Sequence, residues 1–179
     1  MSLPSPTGQP PRTVAARKTA PRSPTHWLRW LFAAACLLPT LGAATDLQPL
    51  AASDVPALLQ APARGERLIA LWALDCAYCE ANLQALARLQ QAHPQEIELV
   101  TIATDSIDQR ATIERRLQLA GVGGFPARAY AEATPEQLDY LIDPDWGGET
   151  PRVLVLRADG SRQGYSGALT AAALRKLGL

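Results

Sequence analysis

The pattern of hydrophobic and polar positions beyond residue 63 predicts strands that alternate with helices. Continuous apolar runs bounded by charges are typical of strands buried on both faces, and they cover 67–72, 97–103 and 152–157. Apolar residues recur at helical spacing over 79–93, 108–119, 135–142 and 170–177. Asp159-Gly160 is a typical hairpin turn, so 162–166 is predicted to return as a strand beside 152–157.

This order of elements predicts an α/β sandwich with a mixed sheet. The first strand-helix-strand unit is expected to be parallel and right-handed. Residues 45–62 are predicted to form a lead-in with one short helix after Ser53. No strand or helix is predicted between Gly121 and Thr134, because Gly123, Gly124 and Pro126 interrupt the chain there.

The first 44 residues have the pattern of an export signal. They carry five basic side chains and no acidic ones, and 30–44 is a charge-free apolar run that ends in small residues at Gly42 and Ala44. Spanning a bilayer takes about 20 apolar residues, so this run favours a secretory signal cleaved after Ala44. An uncleaved membrane anchor through 30–44 is the alternative, and Cys36 leaves lipoprotein attachment open. The remainder is expected to be exported, to the periplasm of a bacterium or to the cell exterior.

Charge and cysteine content narrow the function of residues 45–179. Their net charge is −5, which argues against nucleic-acid binding because affinity for phosphates depends on Lys and Arg. Three cysteines in the whole chain exclude a disulfide-dense scaffold and a four-cysteine zinc site. After signal cleavage only Cys76 and Cys79 remain.

The Cys76-Ala77-Tyr78-Cys79 motif carries the candidate chemistry. It follows the first buried strand and opens the first long helix, where unpaired N–H groups and the helix dipole stabilise a thiolate. Cys76 is therefore the predicted nucleophile, and Cys79, inside the first turn, is the resolving thiol. An inert disulfide clip and a metal-binding thiol pair are the alternatives. His93, which lies at the far end of the helix, offers the metal no nearby imidazole.

The chain resembles the thioredoxin superfamily, and more narrowly the exported TlpA/ResA-like thiol-disulfide oxidoreductases, over about residues 50–179. Four segments carry the resemblance: 71–79, 149–156 with Thr150-Pro151, 158–160 and 164–167. It implies a thioredoxin-like three-layer α/β/α sandwich with a mixed central sheet over 63–179. It also implies that Pro151 is a cis-proline beside the cysteines and that Thr150 and Pro151 bind substrate. The redox-active disulfide Cys76–Cys79 would be the sole redox group, with no metal and no organic cofactor.

The function that the resemblance implies is reduction of disulfides in exported proteins. The expected partners are protein disulfide substrates and a membrane thiol-disulfide electron donor, with the protein itself a monomer. A disulfide-forming oxidase on the same fold is one alternative. A non-catalytic copper-binding thiol module is another.

Several residues depart from the family pattern. Asp75 replaces the usual Trp before the first cysteine, and its charge is expected to raise the pKa of Cys76 unless it points to solvent or caps the helix. Asn82 stands where the family commonly has Glu, and Ala70 stands where thioredoxins have a buried acid. Glu80 is expected to substitute in part for the carboxylate missing at Asn82, whereas proton transfer without the acid at Ala70 must use water or another group.

Three further features have alternative interpretations. Trp72 is expected to be a core residue, although it could lie under the active site. The Trp146–Glu149 segment is either a lip that faces substrate or a structural loop. Arg115 and Arg116 are expected to belong to a solvated helix face.

Overall fold

Six strands and five helices follow one another in the part of the chain that the structure describes. The structure is a computed structural model, and it describes residues 46–131 and 134–179. The strands are β1 (Leu47–Leu50), β2 (Glu66–Trp72), β3 (Ile97–Ser106), β4 (Ala127–Tyr130), β5 (Arg152–Arg157) and β6 (Arg162–Ser166). The helices are α1 (Val55–Leu58), α2 (Cys79–Ala92), α3 (Arg110–Leu119), α4 (Pro135–Ile142) and α5 (Ala171–Leu177).

The strands form one mixed sheet in the order β1-β4-β3-β2-β5-β6. The pairs β1–β4, β4–β3 and β3–β2 are parallel, whereas β2–β5 and β5–β6 are antiparallel. The mixed sheet and the parallel β2-α2-β3 unit were predicted and are confirmed. Because β2 and β3 are parallel, their carboxyl ends lie at the same edge of the sheet, and this edge carries the cysteine motif.

Two apolar cores lie on opposite faces of the sheet. Leu68, Ala70 and Trp72 of β2 belong to the core that includes buried residues of α2, α3 and α5. The intervening Ile69 and Leu71 belong to the core that includes residues of α1 and α4. The alternation of side chains along a strand therefore produces the three-layer α/β/α arrangement.

The elements with long apolar patterns were predicted closely, and two short strands were not. The bounds of α4, β5 and β6 agree with the pattern, and those of β2, β3, α2, α3 and α5 differ from it by a few residues at their ends. β1 and β4 have four residues each, too few for a periodic pattern. They are strands because each finds a partner: Leu47 to Leu50 pair with Ala127 to Tyr130.

The predicted signal or anchor, residues 1–44, lies outside the described residues. Within 46–131 and 134–179, no helix combines the length and the apolar character needed to cross a bilayer.

Candidate active site

Cys76 and Cys79 are joined by a disulfide at the junction of β2 and α2. Their sulfurs are 2.11 Å apart and their Cα atoms 5.5 Å apart. Cys79 is the first residue of α2 and is only 2% exposed, whereas Cys76 precedes the helix and is half-buried. An incoming thiolate therefore reaches the sulfur of Cys76 more readily than that of Cys79.

The first turn of α2 has N–H groups that no side chain caps, and these groups can stabilise negative charge on the cysteine pair. A turn in which the Cys76 N–H donates to the Ala73 carbonyl (3.3 Å) links β2 to the motif. Tyr78 is the N-cap residue of α2, and no side chain caps the helix there. The N–H groups of a first helical turn have no partner within their helix, so they favour negative charge nearby. This arrangement stabilises a thiolate on the residue just ahead of the helix.

The loop before Cys76 is held at the peptide groups of Leu74. The Leu74 N–H donates to Oδ2 of Asp105 at 2.8 Å, and Nη2 of Arg116 donates to the Leu74 carbonyl at 3.4 Å. The expected solvated helix face holds for Arg115, which is exposed, but is wrong for Arg116, which is half-buried against this loop. The sequence did contain a sign that Arg116 faces the protein, because it lies three residues after the buried Ile113 and therefore shares its side of α3.

Thr150 and Pro151 lie next to the end of β2. Arg152 of β5 pairs with Leu71 of β2, which brings Pro151 level with Trp72, the last residue before the cysteine loop. The Thr150–Pro151 peptide bond is cis, and the Pro151 carbonyl accepts from the Gly167 N–H at 2.9 Å. Between Thr150 and the other described residues, no backbone hydrogen bond forms. Thr150 is half-buried and its peptide groups remain available to a partner.

A buried ion pair fixes the start of β5 beside these residues. Arg152 donates to Asp143 at 2.5 Å and to the Ser166 hydroxyl at 2.9 Å, and the side chains of the ion pair are about nine-tenths buried. The guanidinium lies directly over Gly164, where a Cβ atom would come within 2.1 Å of it. The Ser166 hydroxyl also donates to Glu149, which lowers the pKa of that carboxyl.

The two carboxylates proposed to tune the cysteines differ in their surroundings. Asp75 is exposed and does not cap α2. Glu80 is half-buried and accepts a hydrogen bond of 3.4 Å from Gln84, one turn along the helix. Their influence on the Cys76 thiol stays a prediction.

Asn82 has a role that the sequence analysis missed. Its side chain is 5% exposed. Nδ2 donates to the Gly167 carbonyl and Oδ1 accepts from the Leu169 N–H, both at 2.9 Å. Asn82 thus ties α2 to the loop between β6 and α5. The feature of the sequence that could have indicated this role is a polar residue directly before Leu83, at a buried position of the helix.

The two tryptophans near the site are structural. Trp72 is 2% exposed and lies in the core on the α2 side, as expected. Trp146 is buried, and its Nε1 donates to the Glu149 carbonyl at 2.8 Å. This contact supports the structural-loop interpretation of 146–149 over the substrate-facing lip.

Within the described chain, no group of three or more His, Cys, Asp or Glu residues is placed to hold a metal ion. In the reduced state, the two thiols of Cys76 and Cys79 would be the nearest sulfur donors for any ion at this site.

Comparison with known proteins identifies the fold. No protein-family model and no curated protein matches the sequence. A secreted Mycobacterium tuberculosis disulfide oxidoreductase, homologous to E. coli DsbE, matches with a TM-score of 0.52 and 20% identity, over 69% of this chain and 86% of its own. A thioredoxin-like protein in its oxidised form matches with a TM-score of 0.50 and 13% identity, over 64% of this chain and 75% of its own. The described residues therefore form a thioredoxin fold, with a Cys-x-x-Cys disulfide where β2 meets α2. The sequence-based resemblance is confirmed at the level of the fold.

Proposed function

We propose that this protein is a thiol-disulfide oxidoreductase whose catalytic residues are Cys76 and Cys79. The observation that carries the proposal is the unequal exposure of the two sulfurs at an uncapped helix start: Cys76 is half-buried and Cys79 is 2% exposed. A mechanism with a nucleophilic and a resolving thiol requires this asymmetry. A purely structural disulfide would not benefit from unequal exposure of its sulfurs. The loop closed by Cys76–Cys79 is also too short for such a disulfide to stabilise the fold by more than about 2 kcal/mol.

The reaction proceeds by two thiol-disulfide exchanges. The Cys76 thiolate attacks one sulfur of a substrate disulfide, which forms a mixed disulfide and releases the other substrate sulfur as a thiolate. Cys79 then gives up its proton and attacks the Cys76 sulfur. This step releases the second substrate thiol and leaves Cys76–Cys79 oxidised. The substrate gains two electrons, and the protein needs a dithiol donor to be reduced again.

Thr150 and Pro151 are the proposed substrate-binding residues. Thr150 offers peptide groups without partners among the described residues, beside the strand that leads to the cysteines. An extended substrate segment can pair with these free peptide groups through main-chain hydrogen bonds. The ion pair of Arg152 with Asp143 supports these two residues, because it holds the first residue of β5 in place.

The proposed setting is outside the cytoplasm, with reduction as the direction of catalysis. Support comes from the signal-like residues 1–44 and from the similarity to a protein described as secreted. The proposed substrates are exported proteins with disulfides, and the electron donor is a membrane thiol-disulfide protein. The Cys76–Cys79 disulfide is the only redox group that this cycle uses, and the proposed enzyme acts as a monomer.

Reduction of insulin by dithiothreitol, followed by turbidity, tests the proposal. Cys76→Ser is expected to abolish catalysis, while circular dichroism shows that the variant still folds. Cys79→Ser is the matched variant, since it keeps the nucleophile but removes the resolving thiol. It is expected to accumulate a mixed disulfide on Cys76 that mass spectrometry identifies. Full activity of Cys76→Ser would refute the assignment.

The reduction potential determines the direction of electron flow. A value near about −270 mV resembles that of thioredoxin, whereas a value near about −120 mV is typical of strong oxidants. The reducing role predicts the lower value, and a value near the higher one would favour the disulfide-forming oxidase instead.

A further inference from the structure

Two side chains of opposite charge hold the N–H and the carbonyl of Leu74, two residues ahead of Cys76. Asp105, near the end of β3, accepts from the Leu74 N–H at 2.8 Å, and Arg116 of α3 donates to the Leu74 carbonyl at 3.4 Å. The anion therefore lies at a donor and the cation at an acceptor. In the described ranges, neither Asp105 nor Arg116 forms an ion pair with another side chain. Both charges are half-buried and directed at the same residue.

Leu74 is close enough to the nucleophile for this contact to influence it. Two trans peptide units separate Leu74 from Cys76, so their Cα atoms are at most about 7.6 Å apart. The Cys76 N–H also donates to the Ala73 carbonyl at 3.3 Å, which makes the loop a closed turn. Because Nη2 of Arg116 lies 3.4 Å from the Leu74 carbonyl, the guanidinium is on the order of 10 Å or less from the Cys76 Cα atom, comparable with the Debye length in 0.1 M salt.

The surroundings of Cys76 are mostly acidic. The titratable and charged groups near this end of the sheet include Asp75, Tyr78 and Glu80 beside the cysteines, Asp105 on β3, Arg116 on α3, and Tyr165 on β6. Glu149 and Arg152 flank Thr150 and Pro151, and Arg152 is paired with Asp143 and lies 3.9 Å from Glu149. Nearby carboxylates disfavour a thiolate and a nearby cation favours it. Among the described residues, Arg116 is the cation in hydrogen-bond contact with the loop that carries Cys76.

We propose that Asp105 and Arg116 are positioning residues for the Cys76–Cys79 pair: they hold the N–H and the carbonyl of Leu74, and the charge of Arg116 favours the Cys76 thiolate. This inference rests on the proposed function, since it assigns the charge that activates the nucleophile. Arg116 acts through the loop and its field, without contact with substrate.

Alkylation of the reduced full chain by iodoacetamide between pH 5 and 9 tests the proposal. Mass spectrometry reports the adduct on Cys76. For one charge at this distance, Arg116→Gln is expected to slow alkylation near pH 6.5 about threefold and to move the midpoint of the profile to higher pH. Arg116→Lys keeps the charge and is expected to restore most of the rate. In about 1 M salt, the difference between Arg116→Gln and the parent protein should shrink.

Arg115→Gln is the matched control, because it removes the same charge from the neighbouring exposed position. It is expected to leave the profile unchanged. Asp105→Asn keeps an acceptor for the Leu74 N–H and removes an anion, so its alkylation should be slightly faster than that of the parent. Equal profiles for Arg116→Gln and Arg115→Gln would overturn the proposal. So would equal losses in Arg116→Gln and Arg116→Lys, which would indicate packing without a charge effect.

This assay separates the inference from the proposed function, because alkylation needs neither a disulfide substrate nor an electron donor. If the parent protein fails to reduce insulin but Arg116→Gln shifts the profile, only the proposed function is wrong. If insulin is reduced and no shift occurs, only the role of Arg116 is wrong.

Discussion

Replacement of Asn82 by alanine tests how α2 is attached to the rest of the fold. The side chain makes two hydrogen bonds of 2.9 Å, one to the Gly167 carbonyl and one from the Leu169 N–H. Asn82→Ala removes both and leaves those backbone groups without their partner in a half-buried loop, next to the space that the shorter side chain vacates.

The expected loss follows from these contacts. A neutral hydrogen bond contributes about 0.5–1.5 kcal/mol, and a group left without a partner in a buried site costs about 1–3 kcal/mol. Alanine regains about 0.5 kcal/mol through its higher helix propensity. The net decrease in the free energy of unfolding is therefore about 2 kcal/mol. For a domain of this size it lowers Tm by about 8 °C.

Urea unfolding followed by tryptophan fluorescence measures this loss. Arg88→Ala is the control, because Arg88 is an exposed residue of the same helix and the substitution should change stability by less than about 0.5 kcal/mol. Asn82→Asp keeps the acceptor for Leu169 but directs a carboxylate at the Gly167 carbonyl. It is expected to be closer to the parent protein at pH 3 than at pH 7. If Asn82→Ala loses no more than Arg88→Ala, the two hydrogen bonds do not hold the loop.

Two further substitutions test other parts of the fold by urea unfolding. Gly65 has φ +63° and a Cβ there would lie 1.9 Å from the Glu96 carbonyl oxygen, whereas Gly160 has φ +83° and open space around it. Gly65→Ala is therefore expected to lower the free energy of unfolding by at least about 2 kcal/mol more than Gly160→Ala, where the only cost is the strained backbone. Equal losses in the two variants would contradict the steric argument. Burial raises the pKa of Asp139, whose Oδ1 accepts from the Tyr130 hydroxyl at 2.6 Å. The protonated carboxyl of Asp139 stabilises the fold fully below the ordinary pKa of 3.8, and this contribution is lost as the pH rises through the higher folded value. The free energy of unfolding of Asp139→Asn should therefore rise relative to that of the parent protein between pH 3 and pH 7. A difference between the two proteins that does not change with pH would contradict this expectation.

The sequence predicted elements where a pattern was long enough to have a period. The seven-residue β2 and the fourteen-residue α2 are examples, and the cysteine motif between them followed from the same pattern. β1 and β4 were missed because four residues cannot show a period, and their pairing joins segments about 80 residues apart. Arg116 was assigned to solvent because its charge outweighed its place beside Ile113 on the helix.

The order of the longer strands and helices, the two thiols at a helix start and the acidic character of residues 45–179 are properties of the sequence, because each depends on neighbouring residues or on composition. The tertiary structure decided the partners of Leu74 and Asn82 and the place of Thr150 beside the end of β2. Asp105 is 31 residues from Leu74, and Leu169 is 87 residues from Asn82. Such contacts form only when the sheet brings distant strand ends to one edge, so local periodicity carries no information about them.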